Sequence, residues 1–554
     1  MRKILIIFII ILGYNVQATQ IDKEINDILL YEEQKNIYQE NLEREKEKNL
    51  VYTNLQTHNL ENNNSGNCIK IKEIIFDNIT IISKQKLQKL KEPYINRCNT
   101  IEQIKNLVRK VNNIYIKKAY ITSRAYIKPQ NLSNGVLVIS AVEGKIEKVI
   151  GKNINPSLVF LGFEGNILNL RDIEAAIEQL NRLQSIKTTM ELNPGKNIGY
   201  SKIVVIGKKV ASSINGNLGV NNYGTKKSGK YQLSASLNWE NPFNLNDKIS
   251  LSLNTTNKQE KDNSSFGYSF SYAFPISKAY ISLKYSYFKY EQIVNGLNED
   301  FKSDGNSKTL SLNVEYKLFH SKTQKAKLEG SLNYKVNKNY LAGVYLDTSS
   351  SKLTIFKLGY THYFYGKTWD AYTTLTYHRG LNWFNAKAPT YSKPTFNKFT
   401  LDISYNKNFT FFETPAKYNL SFHGQYAKKD IIGSEQIGIG GPYSVRGFKD
   451  VGQISGNMGF YLRNEFSLNY KFKNGSFNPY IALDLGVVKH NDMSNGGRII
   501  GSAIGTRFSY KNFFIDIYKS FPIEDSNKVT YKDNGDKVVT HNHGFFGVNI
   551  SYRF

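Results

Sequence analysis

Four groups of residues in this 554-residue chain carry side chains that could do chemistry. Gly224 to Lys230 spells G-x-x-x-x-G-K, the spacing of a phosphate-binding loop. Such a loop needs Ser or Thr next, to reach magnesium, and a helix behind it. Tyr231 follows instead and opens a strand-like alternation, so the segment reads as a turn between strands. His541 and His543 flank Asn542, but two histidines without further ligands do not hold a metal. Cys68 and Cys98 are the only cysteines. No Ser/His/Asp or Cys/His arrangement stands out, so the expectation is no catalytic residue, no metal, no cofactor and no enzyme. The fourth group is Gly440-Gly441-Pro442-Tyr443-Ser444-Val445-Arg446-Gly447-Phe448. A strand does not tolerate that density of glycine and proline, so this is a loop. Taken alone it is either an ordinary surface loop or a place where Arg446 does electrostatic work.

The elements around these residues fix the compartment first. Arg2 and Lys3 precede a nine-residue apolar run, Ile4 to Leu12, and Val16-Gln17-Ala18 is a small-residue cleavage site. That is the pattern of a secretory signal over residues 1–18, and nine residues are too few to span a bilayer as a helix, which takes ~20. No later run is apolar enough for a helical span. In an exported chain an even cysteine pair points to a disulfide between Cys68 and Cys98, the alternative being two buried thiols.

The formal net charge is +27, or +25 once Arg2 and Lys3 leave with the signal (27 − 2). The lysines are spread along the chain and alternate with Asn, Ser and Tyr. This favours a compositional bias over a nucleic-acid patch, which would cluster arginine and aromatics. The 38 Tyr and 32 Phe beside scarce Trp and Met suit strands that meet lipid on one face and water on the other.

Along the chain, residues 20–48 read as one polar helix with a thin apolar stripe of Ile21, Ile25, Ile28, Leu29, Ile37 and Leu42. Such a helix is either solvated or rests in a polar cavity. Residues 49–67, rich in asparagine, read as a flexible linker that lets the helix move independently. Residues 68–143 are mixed: a strand Ile69 to Phe76, a helix Lys84 to Leu90, a helix Ile101 to Tyr115 capped by Thr100, and strands Ile121 to Ile127 and Val136 to Val142. Residues 144–210 repeat the theme: a strand Ile146 to Ile150, a helix Arg171 to Leu183, and strands Thr188 to Leu192 and Lys202 to Ile206 joined by a turn at Asn193-Pro194-Gly195.

From 211 to 554 the period becomes two. Leu310, Leu312, Val314, Tyr316 and Leu318 share one face against Ser311, Asn313, Glu315 and Lys317 on the other. Sixteen such segments begin near 211, 231, 248, 266, 280, 309, 327, 353, 370, 398, 417, 458, 479, 498, 512 and 544. Each is nine to eleven residues, enough to cross an outer membrane when tilted. An even number suits a closed antiparallel barrel, which leaves no strand edge facing lipid. A soluble sandwich would not explain aromatic faces on so many strands.

At this point the chain resembles a known family, the two-partner secretion transporters (TpsB; the ShlB/FhaC haemolysin secretion/activation type), within the superfamily of POTRA-bearing outer-membrane barrels. Tyr120 to Ile127 with Pro129-Gln130 and Gly135 is similar to the end of the first POTRA module, where Cys68 and Cys98 sit as the family's cysteine pair. Leu170 to Glu174, Leu180 to Leu183 and Asn193-Pro194-Gly195 are similar to the second, and Lys118-Ala119-Tyr120 departs from the family's usual glycine before the aromatic. Val445-Arg446-Gly447-Phe448 matches the superfamily's loop between barrel strands eleven and twelve, which folds into the lumen. Arg463-Asn464-Glu465 and Leu483-Asp484-Leu485-Gly486 match the next two strands.

The resemblance implies α+β periplasmic POTRA modules followed by a 16-stranded antiparallel transmembrane β-barrel, residues 211–554, with the lumenal loop at 427–457. It implies that helix 19–48 is a plug inside the lumen, and that Arg446 pairs with Asp484 to hold the loop. It further implies a single-copy outer-membrane transporter, in contact with outer-membrane lipid and not nucleic acid. Its POTRA modules bind an unfolded exoprotein, an adhesin or cytolysin, for passage without nucleotide. The rival readings are an outer-membrane assembly factor and a passive porin.

Overall fold

The computed structural model describes residues 2–47, 53, 55–60, 68–257, 263–295, 299–389, 392–449, 454–489, 496–526, 529–531, 537–539 and 544–554. His541, His543 and most of the expected linker lie outside the described residues.

Helix α1, Arg2–Glu45, runs through both the expected leader and the polar helix behind it. The first α/β module follows. Strand β1 (Cys68–Ile71) pairs with β3 (Arg97–Thr100), and β2 (Glu73–Asp77) lies parallel to β5 (Val136–Val142), which also pairs with β4 (Arg124–Tyr126). The single strand expected over Ile69 to Phe76 is therefore two. The chain changes partners at Lys72, whose N–H, like that of Glu73, is taken by the Gly135 carbonyl. Helices α2 (Lys84–Lys91) and α3 (Ile101–Lys117) cover the sheet, with Leu107, Val111 and Tyr115 buried against Ile74 and Ile139. Thr100 caps α3 in a capping box with Gln103. Ala119, after α3, has φ 67°, a left-handed conformation that explains why glycine is favoured there. Cys68 and Cys98 are joined across the β1–β3 ladder, with Cα atoms 5.3 Å apart.

In the second module β6 (Lys145–Lys152) lies parallel to β8 (Tyr200–Lys209), β7 (Ile186–Pro194) pairs antiparallel with β8, and α4 (Leu170–Leu180) covers the sheet. Its core is Ile173, Ala176, Ile177 and Leu180 against Ile203 and Val205. The turn expected at Asn193 to Gly195 falls after it, because β7 keeps pairing through Pro194 with Ser201.

Sixteen strands then close into one antiparallel barrel: β9 (Ile214–Asn221), β10 (Gln232–Glu240), β11 (Lys248–Thr256), β12 (Ser264–Ile276), β13 (Ala279–Asn295), β14 (Asp300–His320), β15 (Gln324–Leu341), β16 (Ser351–Tyr365), β17 (Trp369–Leu381), β18 (Asn397–Phe411), β19 (Thr414–Tyr426), β20 (Gly459–Leu468), β21 (Gly475–Val488), β22 (Gly497–Tyr510), β23 (Phe513–Asp525) and β24 (Phe546–Arg553). β24 pairs with β9 and closes the ring. Leu310, Leu312, Val314, Tyr316 and Leu318 are exposed on the outer face, where a bilayer covers them, whereas Lys317, Lys325 and Asp402 are buried within. Several strands are longer than expected, β14 reaching 21 residues. Its added residues Lys302, Asp304, Asn306 and Lys308 are polar and keep their ladder with β13 beyond the apolar band.

Short turns such as 277–278 and 321–323 share one end of the barrel with both modules, and the long connections share the other. Short turns mark the periplasmic end of outer-membrane barrels. The connection between β19 and β20 starts at the outer end, with 428–430 exposed, yet 431–448 are buried apart from half-buried Gly433, because the chain folds back into the lumen.

Candidate functional site

The tip of this loop is seated by glycines on both sides of the contact. Within the loop, Gly440, Gly441 and Gly447 have φ of 109°, 110° and 102°, which side-chain-bearing residues resist. A Cβ on Gly447 would lie 2.7 Å from the Phe521 carbonyl. On the wall, a Cβ on Gly486 of β21 would lie 2.8 Å from Val445 Cγ2, and one on Gly501 of β22 would overlap the Arg446 carbonyl oxygen. The loop backbone thus rests directly on the wall. Val445 and Phe448 fill the space with Ile437, Ile439, Tyr461, Val488 and Ile499.

Between these apolar contacts sits Arg446. Its Nε donates to Asp484 Oδ2 at 2.7 Å and its Nη2 to Asp484 Oδ1 at 2.8 Å, a bidentate pair. Its backbone N–H also donates to Asp484 Oδ2, at 3.0 Å. The second face of the guanidinium donates from Nη1 to Glu465 Oε2 on β20, at 3.0 Å. Glu465 accepts in turn from Arg507 Nη2 on β22 at 2.9 Å, and Arg507 Nε lies 3.4 Å from Asp516 Oδ2 on β23. Five alternating charges, Asp484, Arg446, Glu465, Arg507 and Asp516, therefore tie the loop to four consecutive strands. Asp484 has no exposed side-chain surface, so it depends on Arg446 for its counter-charge. The sequence motifs pair Arg446 with Asp484 and include Glu465 only as part of Arg463-Asn464-Glu465, without a role, while Arg507 and Asp516 belong to none of them. A usable signal was present: a charged residue inside a membrane-crossing strand must face the lumen.

Helix α1 occupies the lumen beside this loop. Near the outer end, Asp22 Oδ1 accepts from Thr348 Oγ1 at 3.0 Å and Asp27 pairs with Lys227 at 3.3 Å. In the middle, the rings of Tyr31 and Tyr38 lie 5.5 and 5.6 Å from that of Tyr443 in the loop tip. Further along, Asn41 Nδ2 donates to Asp402 Oδ1 at 3.0 Å, and Arg44 pairs with Glu329 at 3.3 Å. At the periplasmic end Glu47 pairs with Lys327 at 3.0 Å and with Lys325. At ~1.5 Å per helical residue, Asp22 to Glu45 covers about 35 Å, the depth of a bilayer. The cavity is polar and so is the helix, which explains why its apolar stripe is thin.

The second module docks on the periplasmic rim of the barrel. Glu178 of α4 reaches Lys317 Nζ and Lys325 Nζ, each at 2.6 Å, and Arg182 reaches Glu315 at 2.9 Å. Burial alone raises the Glu178 carboxyl, but the ammonium groups of Lys325 and Lys317 outweigh it and hold it below the ordinary glutamate range. Lys325 is shared between Glu178 of the module and Glu47 at the end of α1. The chain between α1 and the first module is not free either. Thr53 and His58 are hydrogen-bonded through their main chain to α4 and α3. Among the described residues no cluster of His, Cys, Asp and Glu could hold a metal.

A family model described as haemolysin secretion/activation protein ShlB/FhaC/HecB matches residues 199–508. A ShlB-type POTRA domain matches 69–144 and a further POTRA domain 142–194. The outer membrane transporter CdiB of Dickeya dadantii is 33% identical over 83% of this chain and 83% of its own length. The hemolysin transporter protein ShlB of Serratia marcescens is 28% identical over 85% of each chain. The solved structure of CdiB from Escherichia coli superposes with a TM-score of 0.80 and 26% identity, over 96% of this chain and 99% of that one. The chain belongs to the haemolysin secretion/activation family: it is an outer-membrane β-barrel transporter with periplasmic POTRA domains, and not an enzyme.

Proposed function

We propose that this transporter, acting as a single copy, binds one unfolded exoprotein in the periplasm through its POTRA domains and passes it outward through the barrel lumen without nucleotide. The observation that carries the reading is the content of the lumen. A polar helix fills it from end to end, held by side-chain pairs such as Asn41–Asp402 and Arg44–Glu329 that water or a polar chain can replace. A lumen of this kind suits a removable plug. The arginine-anchored loop, by contrast, is fixed to four strands and stays as the lining past which the exoprotein moves. Unpaired main-chain groups of an unfolded exoprotein can add to POTRA sheet edges. Folding outside the cell supplies direction.

The test compares culture medium and outer membranes with and without this gene. Loss of one large secreted protein with an unchanged outer-membrane profile is the expected result. A general fall in outer-membrane barrels, as for an assembly factor, or no change in either, as for a porin, would overturn the reading.

A further inference from the structure

Among the described residues, the segment joining α1 to the first POTRA domain is held at Thr53 and at His58, in both cases by its main chain. Thr53 N donates to Glu174 Oε1 at 2.7 Å, and Thr53 O accepts from Arg171 Nη2 at 3.1 Å. Arg171 and Glu174 are paired to each other at 2.6 Å, one turn apart on α4, so they present a donor and an acceptor side by side. His58 N donates to Asn113 Oδ1 at 2.8 Å, and His58 O accepts from Asn113 Nδ2 at 2.9 Å. The Asn113 amide on α3 thus pairs with both the N–H and the C=O of one residue.

Between the clamps Leu55 is half-buried, whereas His58 and Asn59 are exposed and Leu60 remains 46% exposed. Thr53 and His58 enter the clamps through main-chain groups and not through their side chains. Any extended polypeptide offers the same N–H and C=O groups.

We propose that Asn113 and the Arg171–Glu174 pair form a track for the main chain of an unfolded exoprotein, and that the linker occupies this track as an internal competitor at rest. This rests on the transport reading above. The track joins the two POTRA domains, one clamp on each. A tethered competitor acts at an effective concentration on the order of millimolar, so a weakly bound stray chain does not displace it. A chain that does displace it frees the tether of α1 in the same event. By linkage, departure of α1 in turn favours exoprotein on the track.

The two sides of the His58–Asn113 clamp can be varied separately. The full-length protein in lipid nanodiscs is titrated with a fluorescent, reduced and alkylated model polypeptide that stays unfolded. His58→Pro removes the linker's donor without touching the POTRA surface, and should tighten probe binding roughly three- to tenfold, as loss of one or two hydrogen bonds implies. His58→Ala keeps the N–H and should bind as wild type. Asn113→Ala added to His58→Pro should abolish the gain. Unchanged affinity in His58→Pro, or a gain that survives Asn113→Ala, would overturn the proposal. If the affinities follow the expected pattern but deletion of the gene removes no secreted protein, the track stands and the transport reading falls. If secretion is lost on deletion but the affinities are flat, the track falls alone.

Discussion

Arg446 in the lumenal loop and Asp484 on β21 are joined by three hydrogen bonds, two from the guanidinium and one from the backbone N–H. Removing the guanidinium leaves Asp484 charged, fully buried and short of its partner. Breaking a buried pair from one side costs about 3–5 kcal/mol, enough to unseat the loop. Arg446→Ala should therefore abolish export while the barrel still reaches the outer membrane. Arg446→Lys should recover little, because one ammonium cannot serve Asp484 and Glu465 in the same geometry. Export measured beside outer-membrane content checks both.

The seat should matter as much as the anchor. Gly501→Ala adds a methyl where the Arg446 carbonyl lies. It should reproduce the Arg446→Ala export defect, although Gly501 is far from the loop in sequence and carries no charge. Protease accessibility of the loop in intact cells should rise in both variants. Normal export from Gly501→Ala would show that the loop is not seated on β22.

Much of this was legible in the chain. The two-residue period gave sixteen strands, because one lipid-facing side must be apolar over a fixed depth. It did not give their full length: Lys302 to Lys308 extend β14 by pairing alone, which needs no apolar face. In the first module the partner change at Lys72 was hidden, since Ile69 to Phe76 is uniformly strand-like and the switch is made by a distant carbonyl, that of Gly135. At the site, Arg446 and Asp484 were reachable through motif resemblance. Glu465, Arg507 and Asp516 complete their network only because register brings neighbouring strands together. The asparagine-rich linker reads as flexible by composition, and the clamps at Thr53 and His58 that hold it are long-range contacts.

The Cys68–Cys98 bridge closes a separation of 30 residues. By chain entropy such a closure is worth about 3–4 kcal/mol. Cys68→Ser, or reductant on the wild type, should lower the denaturant midpoint of the first POTRA domain. The heat-resistant mobility of the barrel on gels should stay as it was. Unfolding followed by a fluorophore placed on α3 separates the two.

Docking of the second POTRA domain should depend on pH in one direction. Glu178 is held below the ordinary glutamate range when docked against Lys325 and Lys317. Its contribution is therefore present above the pKa of a free glutamate, near 4.5, and is lost as pH falls through the depressed value. Spin-label distances between α4 and the barrel rim should stay unchanged from pH 7 down to about pH 5 and broaden as the pH falls below about 4.5, through the depressed value. Glu178→Gln should show the broad distribution already at neutral pH.

The most direct test of transport through the lumen locks its occupant in place. Asn41 and Asp402 face each other at hydrogen-bond distance across the helix–wall contact. Asn41→Cys with Asp402→Cys, oxidised in the outer membrane, ties α1 to β18. Export of the exoprotein should stop while the disulfide holds and resume on reduction, with either single cysteine behaving as wild type. Undiminished export from the fully cross-linked protein would mean that the chain leaves by another route, and would contradict the account.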